Sequence, residues 1–71
     1  MLNEPEDYRY VYPDGSLSPT FGAVSISDAV EYTRMHYCRR CSDRTTRRRI
    51  ECLVAGQWVR LDLYIRICAG R

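Results

Sequence analysis

The chain has 71 residues, 45% of them hydrophobic and 28% charged, with a formal net charge of +2 at neutral pH and four cysteines. That length makes one small domain, which buries only about 60% of the surface its unfolded chain exposes and leaves little chain for the deep pocket that most enzymes build. No apolar run approaches the roughly 20 residues of a membrane span, and the start MLNEPEDYRY has neither the basic nor the apolar region of a secretory signal. A cytoplasmic protein with no membrane partner is therefore expected.

In chain order, Tyr8, Tyr10 and Tyr12 alternate with Arg9 and Val11, which is the period of a strand. Pro13, Asp14 and Gly15 then supply a turn, and the stretch FGAVSI reads as a second short strand. Residues 1–7, with Glu4, Glu6 and Asp7, divide between two readings: a disordered terminus, or an acidic arm that docks on a basic patch of a partner. In SISDAVEYTRMHYC, Ser27 is placed to cap a helix that Asp28 and Glu31 favour with negative charge near its start. Ala29, Val30, Thr33 and Tyr37 fall at helical spacing, and the helix is predicted over Asp28 to Arg40.

The C-terminal stretch TTRRRIECLVAGQWVRLDLYIRIC reads as a long β-hairpin. With Gly56 and Gln57 as a two-residue loop, Ala55 faces Trp58, Val54 faces Val59, Cys52 faces Leu61 and Ile50 faces Leu63. One face is then aliphatic, whereas the other carries Arg47, Arg49, Arg60 and Arg66 with Trp58 and Tyr64 among them. The expected fold class is α+β: one helix packed on an antiparallel sheet of three or four strands, with a C-terminal β-hairpin, in a single domain over residues 1–71.

Charge is divided along the chain. All eleven basic residues are arginine, because the sequence has no lysine. Residues 1–33 hold one arginine against six acidic residues, and residues 34–71 hold ten against three, so a near-neutral total hides two opposed halves. Arginine's flat five-donor fork suits carboxylates and phosphates alike.

Cys38 and Cys41 stand in YCRRC just after His36. The hairpin register places Cys52 in the core and keeps it far from Cys68, which leaves Cys38, Cys41 and Cys68 as a candidate structural zinc site. The alternatives are a Cys38 to Cys41 or Cys41 to Cys68 disulfide, and free thiols in a reducing compartment. A redox role is disfavoured: the pair is read at a helix C-terminus, where the dipole opposes the thiolate.

A single histidine, no glycine-rich phosphate loop and no paired carboxylates in a recognisable setting argue against an enzyme. The arginine and aromatic face of the hairpin, together with Glu4, Glu6 and Asp7, is the candidate partner surface. Trp, Tyr and Arg are enriched at protein hot spots, and the alternative is a small nucleic-acid-binding protein that tracks phosphates and stacks bases on that face. In size and element order, SISDAVEYTRMHY followed by VAGQW is similar to small phage-encoded inhibitors, of the anti-CRISPR type or the type that inhibits host RNA polymerase. That resemblance spans residues 25–68 and carries over no functional residue. It implies a stoichiometric inhibitor that occludes a site on a larger protein or ribonucleoprotein complex in the host cytoplasm. A second copy of the chain is a further candidate partner.

Overall fold

The computed structural model describes the backbone of residues 7–69 and the side chains of residues 7–66. Seven elements follow one another: β1 (Asp7–Tyr10), β2 (Phe21–Gly22), α1 (Ile26–His36), α2 (Asp43–Arg49), β3 (Ile50–Val54), β4 (Gln57–Arg60) and α3 (Leu61–Ala69). The fold is small α+β, with an antiparallel sheet in the order β2-β1-β3-β4. Three helices accompany it where one was expected. Glu4, Glu6 and any order in residues 1–6 lie outside the described residues.

Period-2 alternation sorts the sheet into two faces. Tyr8 pairs with Phe21 and with Cys52, and Tyr10 pairs with Ile50. Directly paired residues share a face. These five are buried, and Tyr8, Phe21, Ile50 and Cys52 form the core with Ala29 and Val30 of α1 and Leu61 and Tyr64 of α3. Arg9, Glu51, Leu53, Trp58 and Arg60 take the opposite face. The turn expected at Pro13–Gly15 forms: the Gly15 N–H donates to the Tyr12 carbonyl (2.9 Å), and Gly15 supplies the positive φ of 90°.

The hairpin loop differs from expectation by one residue. Val54 pairs with Gln57, Leu53 with Trp58, Cys52 with Val59 and Glu51 with Arg60, so the loop is Ala55-Gly56 rather than Gly56-Gln57. Both loop residues have positive φ, 52° for Ala55 and 80° for Gly56, the signature of a type I′ turn whose twist matches that of the strands. Moving the loop by one residue shifts each pairing by two. The assignment of side chains to faces therefore survives while the partners change.

The larger correction is the hairpin's length. Residues 43–49 and 61–69 are helical, so β3 and β4 keep only five and four residues. Ser42 caps α2 by accepting from the Thr45 N–H (3.2 Å), Asp43 sits in its first turn, and Arg47, Arg48 and Arg49 sit in its last. Each of these interactions favours a helix. In the segment LDLYIRIC, apolar residues fit a strand at 61, 63 and 65 and a helix at 61, 64 and 65. The helix wins because it buries Leu61 and Tyr64 completely or nearly so, at 0% and 3% exposed, at the expense of Leu63, left 40% exposed. Burying a side chain of the size of leucine contributes about 1.5–3 kcal/mol, more than strand pairing without a β-partner at residues 43–49 would return.

α1 also starts and ends earlier than expected. Ser25, not Ser27, is the cap and accepts from the Asp28 N–H (3.1 Å). The helix closes at His36, where the Tyr37 and Cys38 N–H groups both donate to the Thr33 carbonyl. YCRRC is thus a turn after the helix. Tyr37 anchors it by stacking on Tyr10 (5.9 Å between centroids) and packing edge-on against Tyr12 (6.2 Å).

Candidate functional site

The surface proposed from the hairpin does not exist as one face, because four of its six members lie on helices. Tyr64 is buried in the core under α3, Arg47 and Arg49 belong to α2, and Arg66 is exposed on α3. Trp58 and Arg60 alone remain on the outer sheet face. Their charged neighbours Arg9 and Glu51 are paired. Arg9 Nε donates to Glu51 (2.6 Å), and its guanidinium lies 4.2 Å from the centre of the Trp58 ring. Arg60 holds Asp62 through two hydrogen bonds, of 3.0 and 2.6 Å. That contact holds the Asp62 carboxyl below the usual carboxylate range and raises the Arg60 guanidinium. Asp7 is exposed at the start of β1 and, two residues from Arg9, falls on the same outer face of the sheet.

A different arginine surface takes shape around α2. Arg44, Arg47 and Arg48 are spaced i, i+3, i+4 and share one flank of the helix. Two open grooves run along it. The first, about 610 Å³, lies against α1 and is walled by Val30, Glu31 and Met35 on one side and by Asp43 and Arg47 on the other, with Arg39 at its end. Arg39 is fixed there by donating from Nε to the Met35 carbonyl at the end of α1 (3.3 Å). The second, about 340 Å³, lies against α3 and is lined by Arg44, Arg47, Arg48 and Arg66 with Asp43, Asp62 and Ile65. Arg47 borders both, and its Nε is buried with no hydrogen-bond partner among the described residues.

Sequence reasoning assigned Arg47, Arg49 and Arg66 to partner binding but put them on a strand. It missed Arg39, Arg44, Arg48 and Met35. The signal was present: Ser42-Asp43 followed by three arginines is the same start-and-stop grammar that identified α1.

Cys38 and Cys41 are joined as a disulfide across the turn, with α-carbons 5.5 Å apart, inside the range a bridge requires. The local Cys38 to Cys41 bridge is one of the arrangements expected for these cysteines. The third sulfur of the zinc reading, on Cys68, lies outside the described side chains. The His36 ring packs on Tyr32, 4.2 Å between centroids. No group of three or more metal-binding side chains occurs among the described residues. Cys52 is fully buried, as expected, and its Sγ donates to the Val59 carbonyl (3.4 Å).

No helix among the described residues is long and apolar enough to cross a membrane. Comparison with known proteins adds nothing to this geometry: no family model matches the chain, and neither the curated proteins nor the solved structures yield a match.

Proposed function

We propose that the protein is a non-enzymatic protein-binding module that inhibits a larger nucleic-acid-handling complex by occupying a site on it. The observation that carries this reading is the groove between α1 and α2. Its lining mixes the apolar side chain of Met35, 59% exposed, with arginines and carboxylates of both helices. Met and Arg are over-represented in protein interfaces, and uniformly charged surfaces are not needed there. A protein segment that sets an apolar side chain on Met35 and a carboxylate on Arg39 matches such a lining.

The test is capture from a bacterial host lysate by the wild-type chain and by a Met35→Glu, Arg39→Glu variant. A partner held stoichiometrically by the wild type and lost by the variant is the expected result. Equal recovery of the same partner by both proteins would remove this groove from the interface and the reading with it.

A further inference from the structure

We infer that the second groove, between α2 and α3, is a binding site for the phosphate backbone of a nucleic acid, adjoining the α1–α2 groove at Asp43 and Arg47 but distinct from it in Arg44, Arg48 and Arg66. Four arginines reach it from two helices: Arg44, Arg47 and Arg48 from α2, and Arg66 from α3. Its two carboxylates are taken from outside it. Asp43 accepts from Arg34 (2.7 Å) and Asp62 from Arg60, and neither Arg34 nor Arg60 lines the groove. Among the described residues, the four groove arginines enter no ion pair within 4 Å.

This arrangement sets four guanidiniums against two carboxylates, each of which is already hydrogen-bonded to an arginine outside the groove, and leaves an excess of positive charge. An anion with several charged oxygens relieves it, and phosphate accepts the guanidinium fork in two parallel hydrogen bonds. Repeated phosphates suit four arginines better than one isolated anion does. The two remaining aromatic candidates, Trp58 and Tyr64, do not line the groove. The site therefore offers contacts to phosphates and none to bases, and its binding is indifferent to sequence.

The experiment is fluorescence anisotropy with labelled duplex and single-stranded oligonucleotides of mixed sequence, over a salt series. Four phosphate contacts give a slope of log K against log salt of about −3.6 for duplex, a loss of about a hundredfold between 50 and 200 mM. Arg44→Glu with Arg48→Glu is expected to lower affinity at least about tenfold and to flatten the slope by about two. Arg40→Glu, in the exposed turn and lining neither groove, serves as the net-charge control. Circular dichroism checks the fold of each variant, and Arg44→Ala with Arg48→Ala repeats the comparison without added acidic charge. The inference is overturned by an absence of binding at low salt or by an equal loss with Arg40→Glu. It is also overturned if poly-glutamate displaces the oligonucleotide as well as unlabelled nucleic acid does. The Met35→Glu, Arg39→Glu variant leaves Arg44, Arg48 and Arg66 in place, so loss of the protein partner with retained oligonucleotide binding separates this inference from the proposed function.

Discussion

Arg9 on the outer sheet face and Arg44 and Arg48 on α2 carry the same guanidinium into opposite circumstances. Arg9 is held on two sides, by the Glu51 carboxylate and the Trp58 ring, with 23% of its side chain exposed. Its charge is used up inside the molecule. Arg44 and Arg48 are exposed, and among the described residues they meet no carboxylate within ion-pair distance. The difference shows why a count of arginines is a poor guide to a binding surface. What matters is which arginines the fold has already neutralised.

The comparison breaks most visibly if Arg9 proves dispensable. Arg9→Ala removes a partly buried ion pair and a cation–π contact and is expected to cost about 2 kcal/mol. In a domain of this size that lowers the thermal midpoint by about 10 °C, while oligonucleotide affinity stays close to wild type. A midpoint shift of a degree or two, read by calorimetry, would show the sheet-face arginine to be as unconstrained as those of α2.

Ala55→Asn tests the sheet from the other direction. Ala55 sits at φ 52°, a conformation that costs alanine about 1 kcal/mol and that asparagine adopts more easily. The variant is expected to gain about 0.5–1 kcal/mol in chemical denaturation, again with binding unchanged. Arg44→Ala and Arg48→Ala are expected to do the reverse: stability within about 0.5 kcal/mol of wild type, and weaker oligonucleotide binding.

The smallest expected effect concerns the pair that joins the two regions. Arg60 is on the sheet and Asp62 is in the first turn of α3, beside the groove. Because its folded value is depressed, chiefly by the Arg60 hydrogen bonds, the Asp62 carboxylate contributes stability above the ordinary carboxylate range. That contribution is lost as pH falls through the lower folded value. Arg60→Ala is accordingly expected to melt below wild type at neutral pH and to converge with it in acid. The same change returns the Asp62 charge to the groove and is expected to weaken oligonucleotide binding at neutral pH, although Arg60 does not line it.

Much of the sheet was legible from alternation alone. The separation of Tyr8 and Tyr10 from Arg9 on opposite sides, Cys52 in the core, and the division of β3 into an aliphatic and a polar face all follow from period-2 spacing, which tolerates a loop displaced by one residue; that the tyrosine side is the buried one is read from the structure. The candidate site was less legible. Arg47 and Arg66 were identified by type and neighbourhood, yet their shared groove depends on helices that the long-hairpin reading had replaced with strands.

The sequence by itself determined the class of fold, the inward face of β3, the α1 segment and the arginine excess after residue 33, because each is written in local periodicity or in a count. Tertiary structure decided where the hairpin ends and which arginines remain available. LDLYIRIC satisfies two periods, and only packing of Leu61 and Tyr64 against the sheet selects the helical one. Arg34 and Asp43 likewise pair only when α1 and α2 come together, while Arg60 and Asp62 meet locally where β4 passes into α3. Those pairings engage both carboxylates of the α2–α3 groove with arginines outside it and leave its four arginines in excess.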